Sequence, residues 1–120
     1  MREFKFRLWD DNAKRWISRG ESVEVAFSQL FPESIKAEAN FYLEQYTGFE
    51  DEDGQEIYEG DIIWLFGIHL EVVWSQDEAK FDLTNKDFRV GAFVFDKHTV
   101  QHIKVEGNIH ENPELLEVRL

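Results

Sequence analysis

Hydrophobic and polar residues alternate over the first part of the chain. Phe4, Phe6 and Leu8 alternate with charged residues, which is the period-two pattern of a half-buried strand. A short polar turn and a second β-prone segment follow, so residues 1–19 predict an N-terminal β-hairpin.

Residues 20–40 give no single pattern. Val23, Val25 and Phe27 alternate as in a short strand, but Pro32 then interrupts the alternation. The residues from Pro32 onward fit two turns of helix with proline at the first position, or equally a loop. Both interpretations stay open, and we expect this segment to be the variable part of the chain.

From residue 41 onward, short apolar segments bounded by polar turns recur about every 8 to 12 residues. Residues 62–66 read as a strand buried on both faces, and residues 88–95 are strongly β-prone. Pro113 after an asparagine predicts a short closing helical turn. We therefore predict a single, mainly β domain over residues 1–120. Its core, residues 41–120, should form a small SH3-like, partly open β-barrel, which carries the N-terminal β-hairpin and a short C-terminal helical turn.

Two glycine turns precede the most apolar part of the chain. Asp53 and Gly54 predict a two-residue type I′ hairpin turn, because both tolerate the positive φ that this turn requires. Gly60 permits a second sharp turn, and Asp61 is suited to bond backbone amides two residues further on. We interpret all four residues as structural.

Residues 50–61 carry seven carboxylates and no lysine or arginine. A calcium loop beginning at Asp51 would need glycine at its sixth position and glutamate at its twelfth, which here are Glu56 and Ile62. The spacing therefore argues against a calcium loop. The remaining interpretations are a solvated hairpin tip, which we favour, a docking surface for a basic partner, and uptake of a cation at high concentration only. The docking surface, here called the acidic tip, would consist of Glu50, Asp51, Glu52 and Asp53.

The net charge of −12 makes the chain a poor general nucleic-acid binder, because phosphates are neutralised by clustered lysine and arginine. Residues 1–19 nevertheless carry six bases and three acids, a net charge of +3, which leaves −15 for the remainder. We favour a basic hairpin that rests on an acidic body. The alternative is nucleic-acid contact with Trp9 or Trp16 stacking on bases, through Arg2, Lys5, Arg7, Lys14 and Arg15.

The other chemistry-bearing residues predict no active site. The chain has no cysteine, which excludes disulfides, thiolate ligands and cysteine nucleophiles. His98 and His102 would lie roughly 13 Å apart on a strand, too far for one metal ion. No serine lies in a nucleophile-elbow motif, and no glycine-rich phosphate loop is present. We therefore expect no catalytic residue, no metal site and no cofactor.

Three stretches of the sequence resemble the YopX family of phage and prophage proteins. The central one is the Q-Y-T-G…D-G…E-I-Y-E-G-D-I pattern of residues 45–62, and the outer two are residues 2–10 and 107–116. The turn is unusually acidic here, where basic residues are common in the family, and residues 20–40 match nothing in the pattern. The resemblance implies a small, mostly β protein of phage or prophage origin. The family has no agreed biochemical activity, so no functional residue is carried over.

A non-catalytic, self-associating interaction module is the function that we favour. A domain of this size is not expected to bury every one of its aromatic side chains, among them Phe66, Phe81, Phe88, Phe93 and Phe95, and exposed apolar patches mark interfaces. Partners would be a second copy or a host or phage protein. The alternatives are an accessory nucleic-acid-binding protein and an acidic decoy for a basic host protein. No signal peptide or membrane-spanning run is visible, which predicts the cytoplasm of a bacterial host and no membrane contact.

Overall fold

The computed structural model describes residues 4–21 and 40–117 of the chain. The choice between helix and loop for residues 20–40 falls almost entirely outside these described residues, as does Arg2.

The first sheet joins the N-terminal hairpin to the middle of the chain. Strand β1 (Phe6–Asp10) pairs with β2 (Arg15–Glu21) on one side and with β3 (Phe41–Glu50) on the other. The sheet continues from β3 to β4 (Glu56–Tyr58), and every pair is antiparallel. The predicted hairpin is therefore present, and its first strand lies inside a four-stranded sheet.

The second sheet has the strand order β7-β6-β5-β8 and is also antiparallel. Its strands are β5 (Asp61–Leu65), β6 (Ile68–Ser75), β7 (Lys80–Thr84) and β8 (Lys104–Asn108). One of the two sheets forms a half-barrel, and the only helices among the described residues are short 3₁₀ turns. The predicted mainly β fold class, with a partly open barrel, is confirmed.

The hydrophobic core lies on one face of the second sheet. The buried cluster takes alternate residues from β5, β6 and β7, for example Ile63, Leu70 and Leu83. It is completed by Ile57 of β4 and by Val100 and Ile103 near β8. Of the five phenylalanines named in the sequence analysis, Phe81 is buried in this core. Phe93 and Phe95 are half-buried against it, and Phe66 and Phe88 are exposed.

Residues 88–95 do not form the predicted strand. The carboxamide of Asn85 accepts hydrogen bonds from the amides of Asp87 and Phe88, which turns the chain away from the sheet after β7. Gly91 has φ +92, a left-handed conformation that breaks an extended segment. The 3₁₀ helix Thr99–His102 follows, and a second one at Pro113–Leu116 is the predicted C-terminal helical turn.

Two predictions of side-chain orientation were wrong. In β1 the alternation placed Arg7 toward solvent, but Arg7, Leu8 and Trp9 are all buried and Phe4 is exposed. The strand lies between two others and is covered on both faces, so a period-two pattern does not apply to it. Strand β5 is buried on both faces at Ile62 and Ile63, which are 0% exposed, but not at Trp64, which is 40% exposed.

The type I′ turn lies at a different hairpin from the predicted one. Between β3 and β4 only Gly54 has positive φ, and Asp53 does not, so the Asp53–Gly54 turn is not type I′. Between β5 and β6, Phe66 and Gly67 both have positive φ, at 48° and 89°, and connect paired residues Leu65 and Ile68. That two-residue hairpin meets the type I′ requirement.

Candidate functional site

A buried ion-pair network connects the two sheets. Arg7 is 2% exposed, and its guanidinium donates from Nε to Glu44 Oε1 at 3.0 Å and from Nη1 to Asp61 Oδ1 at 2.7 Å. A third hydrogen bond runs from Nη2 to the backbone carbonyl of Glu59 at 3.1 Å. Because Arg7 and Glu44 belong to the first sheet and Asp61 begins the second, these bonds hold the sheets together.

Aromatic rings cover the guanidinium of Arg7. Its central carbon lies 4.5 Å from the ring centroid of Trp16 and 4.9 Å from that of Tyr58, within the range of cation–π attraction. Burial raises the pKa of Tyr58 to about 12, and the charge of Glu56 adds to this effect. The rings exclude water from Arg7, so its ion pairs are stronger than surface pairs would be.

His110 extends the network toward the C-terminal part of the chain. Its Nε2 lies 3.0 Å from Glu44 Oε2, and its ring stacks on Trp9 with centroids 5.1 Å apart. The Oδ1 atom of Asn108 accepts the backbone N–H of His110 at 3.0 Å, which fixes the turn after β8. Glu44 therefore bonds one cationic side chain through each carboxylate oxygen when His110 is protonated.

Gly60 makes room for the carboxylate of Glu44. A Cβ added at Gly60 would lie 2.2 Å from Glu44 Oε2, and the backbone has φ +87, so glycine alone fits here without strain. The neighbouring Asp61 was predicted to bond backbone amides two residues further on, and this prediction was wrong. Its Oδ2 instead accepts the backbone N–H of Tyr58, three residues earlier, at 2.7 Å.

A cleft of about 340 Å³ lies beside this network. It is lined by residues of β3, of the turn before β5 and of β6, and by Ile109. The half-buried side chains of Glu59 and Glu71 form part of its wall. Burial raises the pKa of both carboxyl groups, and the charge of Glu44 raises them further. Burial also raises the pKa of Asp61, although Arg7 opposes this effect.

Negative charge is in excess around the cleft. The carboxylate of Glu44 interacts electrostatically with those of Asp61, Glu59 and Glu71. Arg7 pairs with Glu44 and Asp61, and a protonated His110 would supply one more positive charge. The arrangement can therefore attract a cation.

The basic hairpin residues do not form one exposed surface. Arg7 is buried, so its interpretation as a nucleic-acid contact is wrong, and Trp9 is too deeply buried to stack on a base. Lys5 is ion-paired with Glu56, and Lys14 with Asp11 at 2.8 Å. Arg15 is exposed. Nucleic-acid binding stays a prediction. Among the described residues, it now depends mainly on the exposed Lys14 and Arg15 at the tip of the β1–β2 hairpin.

Asp51 does not belong to the acidic tip. It is buried, its Oδ1 accepts the amides of Asp53 and Gln55 at 2.9 Å each, and its Oδ2 accepts the amide of Val105 at 2.9 Å. Its carboxylate thus joins the β3–β4 turn to β8. The exposed acids of the tip are Glu50, Glu52 and Asp53. Docking of a basic partner there, and the role of acidic decoy, stay predictions.

No group of three histidine, aspartate or glutamate side chains within residues 4–21 and 40–117 is arranged to hold a metal ion. His98 and His102 lie at the two ends of a 3₁₀ helix instead of on a strand.

The sequence predictions missed the most important acid, Glu44. The signal for it was a charged residue between Tyr42 and Tyr46, where alternation places all three on one face. An acid on an apolar face needs a partner. His110, Glu59 and Glu71 carried no comparable local signal.

These contacts define a small β protein in which a buried arginine–carboxylate network joins two antiparallel sheets. Its fold is similar to that of the crystal structure of protein EF1440 from Enterococcus faecalis, with a TM-score of 0.67 and 23% sequence identity over 98% of this chain and 100% of that one. The family model described as YopX protein matches residues 5–117, so the chain belongs to the YopX family. No protein with a curated description matches it.

The three stretches that carried the family resemblance meet at the network. The first contains Arg7, the central one contains Gly60 and Asp61, and the last contains His110. Over the part of the chain that the structure describes, no helix has both the length and the apolar character needed to cross a membrane.

Proposed function

We propose that the chain is a phage- or prophage-encoded interaction module without catalytic activity, which self-associates through the tip of the β5–β6 hairpin. The observation that carries this proposal is the conformation of Phe66. Its backbone has φ 48 at the first central position of a type I′ turn, where asparagine, aspartate or glycine is the ordinary residue. A bulky residue in this region is strained, and strain of this kind concentrates at functional positions.

The side chain of Phe66 gains little from burial in the folded monomer. It is 69% exposed, and its ring contacts that of His102 with centroids 5.3 Å apart. The residue is therefore both strained and solvated in the single chain. A partner that covers the ring would offset both costs.

The surroundings of Phe66 favour a second copy as that partner. The hairpin-tip patch consists of Trp64, Phe66, His69, His102 and Lys104, in which Trp64 packs edge-on against His69 and pairs across the strands with Lys104. The adjacent carboxylate of Glu106 is bonded to His69 at 2.8 Å. Two chains of net charge −12 repel one another over most of their surface, but the hairpin-tip patch itself consists of aromatic, histidine and lysine side chains, so two copies of it can meet about a two-fold axis.

The substitution Phe66→Asn tests the proposal, because asparagine suits the turn. We expect the variant to be more stable as a monomer by roughly 1 kcal/mol, and to dissociate at a concentration at least about tenfold higher than the wild type. Sedimentation velocity over a micromolar concentration series measures the association, and urea unfolding measures the stability.

The matched control is Val94→Asn, which removes an exposed apolar side chain outside the patch. We expect it to leave association unchanged. A wild-type protein that stays monomeric at every concentration, or a Phe66→Asn variant that associates as tightly as wild type, would contradict self-association through this patch.

A further inference from the structure

We propose that the hairpin-tip end of the second sheet is self-complementary, so that in a two-fold dimer Phe66 of each chain enters a pocket on the other chain. This contact rests on the self-association proposed above, and it adds the receiving site and the symmetry of the dimer. Three features of the second sheet support it: a pocket beside the patch, the position of that pocket across the sheet from Phe66, and opposite charges arranged in the same way.

A pocket of about 520 Å³, here called the hairpin pocket, lies beside the turn that carries Phe66, and Gly67 of that turn is part of its wall. The apolar part of the wall comes from β5, β6, the loop after β7 and the C-terminal 3₁₀ helix: Trp64, Ile68, Phe88, Leu115 and Leu116. Phe66 itself is not part of this wall, and its ring contacts His102 instead. Pockets of this volume bury whole small molecules, so the hairpin pocket can accommodate a phenyl ring from outside.

Phe66 and the hairpin pocket lie toward opposite edges of the sheet. The strand order is β7-β6-β5-β8, and Phe66 contacts His102, which lies two residues before β8. The pocket lies toward β7, because the loop after that strand supplies Asn85 and Phe88 to its wall. A two-fold axis parallel to the strands brings the β8 side of one chain onto the β7 side of the other and keeps the two hairpin tips together. Each Phe66 then faces the hairpin pocket of the second chain.

The centre of this face fits the same axis. Strands β5 and β6 are the two middle strands of the sheet, and Trp64 and His69 are directly opposite each other on them. Opposite residues of an antiparallel pair share a face. An axis that runs between β5 and β6 therefore brings Trp64 of each chain onto His69 of the other. The two rings already pack edge-on within one chain, with centroids 4.8 Å apart, so they also suit contact between chains.

Charged side chains are arranged across the face in the same way as Phe66 and the hairpin pocket. Lys104 of β8 is opposite Trp64 and shares its face, whereas Asp87 and Glu117 lie at the pocket. All three residues are exposed, and none of them forms an ion pair within residues 4–21 and 40–117. The axis that brings Phe66 to the pocket also brings Lys104 to these carboxylates, twice in each dimer. This charge complementarity favours a second copy as the occupant of the pocket.

Charge reversal tests the symmetry, because the two sides of each contact can be changed separately. We expect Lys104→Glu and Asp87→Lys each to raise the dissociation constant of the dimer about tenfold, since each variant places like charges opposite one another twice. The double variant should regain the wild-type dissociation constant. An equimolar mixture of the two single variants should form heterodimers in preference to either homodimer. Sedimentation velocity measures the dissociation constants, and native mass spectrometry separates the heterodimer from the homodimers.

Lys80→Glu is the matched control, because Lys80 is exposed at the end of β7 that lies away from the hairpin tip. It changes the net charge by the same amount as Lys104→Glu and should leave association unchanged at moderate ionic strength. Asp87→Lys makes the chain less negative, which by itself favours association, so the weakening expected of it is opposite in sign to the effect of overall charge. Thermal unfolding confirms that each variant is folded.

Leu116→Glu tests the hairpin pocket directly, because it places a carboxylate in the wall that would receive Phe66. We expect association to weaken at least about tenfold, as with Phe66→Asn. The charge variants carry the test should the Leu116 variant not fold.

Unchanged association in both single charge variants, or a double variant as weak as the single ones, would overturn the reciprocal contact. If Phe66→Asn still weakened association in that case, self-association through the hairpin-tip patch would stand and the hairpin pocket would belong to another occupant. A wild-type chain that stays monomeric at every concentration would contradict both proposals.

Discussion

At the scale of single residues, Gly60 and Glu44 depend on each other. We expect Gly60→Ala to destabilise the protein by more than about 2 kcal/mol, because the added methyl group meets Glu44 Oε2 at 2.2 Å and must displace a carboxylate that bonds Arg7 and His110. Urea unfolding of the two proteins measures the difference in the free energy of unfolding.

Gly48→Ala is the matched control for that substitution. Gly48 has nearly the same backbone conformation, φ +92 against +87, but nothing lies within 4 Å of an added Cβ. It should cost only the conformational strain of about 1 kcal/mol. Equal losses in the two variants would mean that the contact with Glu44 contributes nothing.

Arg7 explains why the site could be predicted only in part from the sequence. A local pattern assigns a charged residue in an alternating strand to the solvent face, and here that assignment failed. The acids that stabilise Arg7 in the interior are Glu44 and Asp61, which are 37 and 54 positions away along the chain. No local pattern contains pairings of that range, whereas the turn glycines could be identified because their effect is local.

At the scale of elements, Asp51 fastens the β3–β4 turn to β8. We expect Asp51→Ala to destabilise the protein by about 3 kcal/mol, because three backbone amides, those of Asp53, Gln55 and Val105, lose a charged acceptor. Hydrogen exchange should show the loss at the β3–β4 turn and at β8 together, and chemical denaturation gives its size.

Asp53→Ala is the control within the same turn, since the Asp53 side chain is exposed and only its backbone amide is bonded to Asp51. We expect a change within about 0.5 kcal/mol. A comparable loss in both variants would indicate that the turn needs its total charge and not the hydrogen bonds of Asp51.

A strand could be predicted from the sequence where its pairing partner is the next segment along the chain. Residues 62–66 were predicted as a strand from their apolar character, and β5 contains all of them except Phe66, which with Gly67 forms the two-residue connection to β6. Residues 88–95 are equally β-prone, but Asn85 turns the chain after the edge strand β7, and they pair with no strand of the described residues. Strand propensity describes a residue's fit to a sheet that must already be present.

At the scale of the whole molecule, buried carboxylates link stability to pH. Burial raises the pKa of Asp61, Glu59 and Glu71 above their ordinary values of 3.8, 4.5 and 4.5. The folded chain therefore holds protons on these groups more tightly than the unfolded chain does. Their contribution to stability is full below the ordinary values and is lost as the pH rises through the raised values of the folded state.

Glu71→Gln should remove one part of this pH dependence. We expect its free energy of unfolding to fall less than that of the wild type as the pH rises from 4.5 toward about 7, because glutamine does not ionise in the cleft. Urea unfolding at constant ionic strength across this range measures both profiles. Glu52→Gln, which removes one charge at an exposed position, should follow the wild-type profile. Parallel profiles for wild type and Glu71→Gln would show that the cleft carboxylate is as well solvated in the folded chain as in the unfolded one.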